Sequence, residues 1–169
     1  LMYPILGWYF YRSKKLELEN SSCGETQVLL NKIALGLSFF QAISIILVSN
    51  LAWFKYPILH AIFANFVFSC GLMWAVLYHK LGYDIDNNRG EKRNYHDLRS
   101  NIFVVWFVGI GLMSVGFLSG LSQNPDLLQT LEFSSVKTEM LVAAIGEWLM
   151  FIASLVVFGT FYEDLIDLD

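Results

Sequence analysis

Charge is scarce in this sequence, and the scarcity is uneven. Only 15% of the 169 residues are Asp, Glu, Lys or Arg, against 56% hydrophobic; a soluble domain carries about 25% charged residues. Ile33–Leu51, Pro57–Tyr78 and Ile102–Leu121 contain no Asp, Glu, Lys or Arg, and Met140–Tyr162 contains only Glu147. Each run is about 20 residues long, the length a helix needs to cross a hydrocarbon core of about 30 Å. Four such runs in one short chain argue against a soluble core. They predict an all-α fold, a polytopic transmembrane helical bundle whose first partner is the lipid bilayer.

Other absences narrow the function. Cysteine is nearly missing: Cys23 falls in a loop and Cys70 mid-run, which argues against a disulfide. No basic stretch is dense enough for nucleic acid. No His, Cys, Asp and Glu spacing matches a dedicated metal site, and no cofactor is implied. Asp84, Asp86 and Asn88 start like a calcium loop, but Arg89 stands where that loop needs Gly and Tyr95 where it needs Glu. No basic region precedes the first apolar segment, which argues against a signal peptide. There is no internal repeat.

The predicted spans are residues 33–51, 57–78, 102–121 and 140–162, within a single transmembrane domain over 1–169. Residues 1–11 are apolar but too short to cross, so they are expected to be the end of a truncated span. Residues 12–32, 79–101 and 122–139 read as polar loops. Spans alternate sides, so loops 12–32 and 79–101 share a side with the C-terminal tail. That side carries Arg12, Lys14, Lys15, Lys32, Lys80, Arg89, Lys92, Arg93 and Arg99, while the other carries only Lys55 and Lys137. The positive-inside bias makes the basic side, and with it the C-terminus, cytosolic. Asn20-Ser21-Ser22 is a glycosylation sequon on the wrong side for modification. Trp8, Tyr9, Trp53, Tyr56, Tyr78, Tyr83 and Tyr162 sit near span ends, where amphipathic rings favour the interface.

Glu147 is the candidate site residue with most to explain, because an ionised carboxylate in hydrocarbon costs several kcal/mol and marks a functional or structural contact. It sits about 12 Å down its span from the outer end. His60 and Asn65 reach similar depth from the same side; Gln41 lies mid-span and Asn50 at the outer end of its span. Glu147 is expected to face the interior within hydrogen-bond reach of Asn65 or His60. An interhelical clasp and a ligand, proton or ion site both stay open. Gly109, Gly116 and Gly120 form a small-residue stripe suited to close helix packing. No serine sits in a recognisable nucleophile elbow, so no catalytic residue is assigned and the sequence leans against an enzyme.

Distributed patterns resemble one family. Asn31-Lys32 with Leu35-Gly36 resembles the opening of its third span, and Val48-Ser49-Asn50 that span's end. His60 with Ala64, Phe68 and Gly71 resembles its His-led fourth span, although Phe63 replaces a usual glycine. Glu147-Trp148 resembles the Glu-Trp pair of the last span, and Thr160-Phe161-Tyr162 with Asp164-Leu165 its exit. Together these are similar to the DRAM/Frag/Sfk family of damage-regulated autophagy modulators and transmembrane-150 proteins. The resemblance implies six spans with both termini cytosolic, so the chain would lack the first. It implies lipids or other membrane proteins as partners and fixes no catalytic mechanism. The leading expectation is a non-enzymatic regulator of autophagy in the lysosomal or endosomal system. A GPI-anchor or lipid-remodelling factor of the Golgi or ER is the alternative, and a channel or transporter component a third.

Overall fold

The computed structural model describes residues 2–21, 24–52, 55–90, 95–127 and 133–161. The helices are α1 (Met2–Glu19), α2 (Glu25–Asn50), α3 (Pro57–Arg89), α4 (Tyr95–Gln123) and α5 (Lys137–Phe161), with a 3-10 turn at Phe133–Val136 leading into α5. No strand occurs among the described residues. Four helices, α2 to α5, are long and apolar enough to cross a membrane. The chain is therefore an all-helical membrane protein.

Helix boundaries follow local chemistry. Extended Gly24 precedes α2, and Glu25 in the first turn complements the positive end of the helix dipole. Pro57 starts α3, where its missing N–H costs nothing. Gly90, at φ 72°, stops α3 in the left-handed conformation, and its N–H bonds to the carbonyls of Asn87 and Asp86. Much of residues 12–32 and 79–101, expected as polar loops, is helical instead. α1 continues to Glu19, α2 starts at Glu25, α3 runs to Arg89 and α4 starts at Tyr95. Hydropathy marks only the part of a helix inside hydrocarbon, while its hydrogen bonds continue wherever a neighbour packs. The 33 residues of α3 span about 50 Å, roughly 20 Å more than the hydrocarbon core.

Two helix pairs dominate, α2 with α3 and α4 with α5, and α1 lies mainly on α2. The α4–α5 seam is a backbone contact. A methyl group added at Gly116 would sit 2.5 Å from the Glu139 carbonyl oxygen and 2.6 Å from the Ala143 nitrogen. Gly146 of α5 meets the Gly109 carbonyl and the Met113 nitrogen just as closely. Such close approach gains van der Waals contact, the main force between helices in lipid. The pairs join at an aromatic core towards the basic end. Phe10 packs against Trp74, Tyr78 and Phe161 at centroid distances of 5.4, 5.5 and 5.7 Å. Trp106, Leu81, Ile85 and Val157 complete it, all fully buried.

Candidate functional site

Away from that core, α3 parts from the locked α4–α5 pair, and the three helices line a cavity of about 750 Å³. Its polar wall is His60 and Asn65 from α3, Ser114 from α4 and Glu147 from α5; Ala64, Phe68 and Phe117 are among its apolar lining. Ile58, Ile62, Phe66 and Leu118 also line it and are exposed, so the cavity opens on the lipid-facing surface. Helical geometry sets these directions. Gly146 presses on α4, so Glu147, about 100° further round, turns towards the cavity, and Trp148, a further 100°, turns outward. Trp148 is 64% exposed and, among the described residues, meets only Phe151 edge-to-face, at 5.9 Å.

The hydrogen bonds of this wall are uneven. The Nδ1 of His60 bonds to the Leu51 carbonyl at 2.7 Å, tying the first turn of α3 to the end of α2. The Asn65 Oδ1 accepts from the Ser69 hydroxyl at 3.0 Å. Among the described residues, Glu147 and Ser114 have no hydrogen-bond partner. Glu147 is exposed at the open side of the cavity, so it does not face the bundle interior as expected, and the expected bond to Asn65 or His60 is not made. α3 stands off from α5 at this level, His60 is turned to the backbone of the α2–α3 junction, and Asn65 spends its carbonyl on its own helix.

The remaining predicted polar residues lie elsewhere. Gln41 is buried between α2 and α3, where its Nε2 donates to the Val67 carbonyl at 3.2 Å, and it presses against Gly71. Asn50 donates to the Ile46 carbonyl at 2.7 Å and closes the last turn of α2. Gly109, Gly116 and Gly120 face α5. Asp164, Cys23, Trp53 and Tyr162 lie outside the described residues.

A second polar cluster, at the basic end, was missed by the sequence reading. Asp86 Oδ2 meets His96 Nε2 at 2.8 Å, both residues buried. His96 Nδ1 is 3.5 Å from His79 Nδ1, and His79 Nε2 is 3.3 Å from the Ser100 hydroxyl. Lys14 is buried beside this cluster, near Gly82, and is paired with Glu17 at 3.1 Å. Arg99 is fully buried: its Nε donates to Thr160 Oγ1 at 2.9 Å and its Nη2 to the Thr160 carbonyl at 2.7 Å. The guanidinium lies 4.1 Å from the Tyr95 ring centroid and 4.2 Å from that of Phe161. The missed signal was helical spacing: His96, Arg99, Ser100 and Phe103 fall on one face once α4 is seen to start at Tyr95. The Asp86–His96 contact, the Arg99–Thr160 hydrogen bonds and the ring contacts of Phe10 here join α1, α3, α4 and α5. No group of three or more His, Cys, Asp or Glu suited to a metal occurs among the described residues.

A protein-family model described as the Frag1/DRAM/Sfk1/Cwh43P N-terminal domain matches residues 2–168. Comparison with curated proteins and with solved structures returns no match.

Proposed function

The chain belongs to the Frag1/DRAM/Sfk1/Cwh43P family, and on that footing we propose that it is a non-enzymatic regulator of the lysosomal and endosomal membrane system, acting in autophagy. It works by receiving a membrane amphiphile in the cavity between α3, α4 and α5. One observation carries this reading: a cavity of about 750 Å³ opens on the lipid face and holds a carboxylate, Glu147, that has no hydrogen-bond partner among the described residues, on an otherwise largely apolar wall. Volumes of roughly 300–1,000 Å³ with a few convergent polar groups are typical of small-molecule sites. A carboxylate kept in hydrocarbon without a partner is costly, and an occupant that satisfies it recovers that cost.

The test uses the tagged full-length protein in cells lacking it. Endolysosomal staining, reduced autophagic flux on deletion, and rescue by wild type but not by Ala64→Trp, which fills the cavity, are the expected results. Golgi-only staining overturns the reading. A second reading, a GPI-anchor or lipid-remodelling factor, draws on the presence of an imidazole and a carboxylate, His60 and Glu147, in the same cavity. Loss of GPI-anchored proteins from the cell surface on deletion favours it.

A further inference from the structure

We propose that the cavity selects an amphiphile with a small headgroup that donates hydrogen bonds, a hydroxyl or an ammonium on an apolar body, and rejects anionic phosphate headgroups. This rests on the amphiphile-receptor reading and names the ligand class of that same cavity.

The argument is a count of donors and acceptors. Glu147 supplies two acceptor oxygens and, among the described residues, nothing donates to them. The Ser114 hydroxyl is also without a partner there, whereas Ser38, Ser44, Ser154 and Thr160 return theirs to their own helix backbone at 2.6–2.9 Å. His60 commits its Nδ1 proton to the Leu51 carbonyl. Asn65 alone brings amide donors, since its carbonyl is used by Ser69. Among the described residues, the wall's unpartnered oxygens are thus those of Ser114 and of Glu147, its one acidic group.

Among the described residues no Lys or Arg lines the cavity. A phosphate placed there would face the carboxylate with no cation to offset it, in surroundings where like charges repel strongly. A hydroxyl or ammonium meets the opposite situation and gains a charge-assisted bond. Depth limits headgroup size. Glu147 lies ten residues inside α5 from Lys137, about 15 Å along the helix. A headgroup must leave the interface to reach it, which a bulky, strongly hydrated one resists. The Ala64, Phe68 and Phe117 side chains leave the rest of the volume to an apolar body.

The experiment uses full-length protein in phosphatidylcholine nanodiscs doped with photoactivatable probes: a sterol, a sphingoid base or phosphatidic acid. The sterol or the sphingoid base is expected to label cavity peptides of α3 and α5 and to be competed by its unlabelled form. Glu147→Leu should lower that labelling about tenfold, the equivalent of one charge-assisted hydrogen bond. Because Glu147 has no hydrogen-bond partner to lose among the described residues, the variant should keep its elution profile; Ser114→Ala, a milder change, should lower labelling several-fold. Glu147→Gln separates the sources, since a hydroxyl ligand keeps its bond to the amide while an ammonium ligand loses its counter-charge. Preferred labelling by phosphatidic acid overturns the ligand class and leaves the receptor reading standing. Wild-type labelling in both Glu147→Leu and Ser114→Ala also overturns it. Labelling of no cavity peptide by any probe, as when another segment of the full-length chain fills the space, removes the receptor reading itself.

Discussion

Adding one methyl group to α4 should have opposite effects at two glycines on the same helix. At Gly116 the new Cβ would lie 2.5 Å from the Glu139 oxygen and 2.6 Å from the Ala143 nitrogen, where ordinary contact begins near 3.4 Å. Both obstacles are backbone, so neither swings aside, and α4 must part from α5 by about 1 Å at that level. A gap of 0.5–1 Å forfeits about a quarter to a half of each dispersion contact, each worth about 0.1–0.2 kcal/mol. Summed along the seam, Gly116→Ala should cost about 1–3 kcal/mol. The better helix propensity of Ala returns at most about 1 kcal/mol. At Gly111 a Cβ meets nothing within 4 Å, so only the propensity gain remains and Gly111→Ala should be neutral or stabilising. Reversible unfolding of full-length protein, titrated from mild detergent into SDS, reads both. Equal shifts of the same sign for the two variants would refute the backbone-contact account of the α4–α5 seam.

Three further outcomes are expected. Thr160→Val removes the side-chain acceptor of the buried Arg99 Nε and should destabilise by about 1–2 kcal/mol in the same titration; in an Arg99→Met background the same change should cost much less. A double-mutant cycle of Asp86→Asn with His96→Phe should give a coupling of about 1–2 kcal/mol, because the 2.8 Å contact is buried on both sides; additive effects would show that the contact contributes nothing. Cysteines placed at the exposed positions Asn88 and Lys137 should react with an impermeant reagent from opposite sides of the membrane, Asn88 from the cytosol; reaction of both from one side would break the charge-bias topology.

The four crossing helices were legible because the absence of charge over about 20 residues has one common cause, a hydrocarbon surround. The family was legible for a different reason: its patterns are ordered along nearly the whole chain, and the matched region, residues 2–168, reflects that spread. What stayed hidden was sidedness around each helix. Depth along a span places Gln41 and Glu147 in the same membrane, but only packing decides that Gln41 turns to the Val67 carbonyl while Glu147 turns to a cavity. Arg99 and His96 were hidden because a segment rich in both signs reads as solvated loop, whereas here the charges meet between helices that continue beyond the bilayer. The general expectation that a carboxylate in a span finds a neighbour overlooked how far one pair of helices can stand off from another.

That stand-off has a structural cause. The small residues of α4 and α5 lock those two helices backbone to backbone, and α2 and α3 form the other tight pair. The large side chains that join the pairs, Phe10, Trp74, Tyr78, Trp106 and Phe161, together with Arg99 and the Asp86–His96 contact, gather towards the basic end. Two rigid pairs fastened at one end diverge at the other unless bulky residues fill the gap. On the α4 and α5 sides of that gap small residues, Ser114, Ala143 and Ala144, alternate with the larger Met113, Phe117 and Met140, which line the space without closing it. The cavity is thus a consequence of where bulk and charge were placed, and its polar wall sits where divergence leaves it reachable from the lipid.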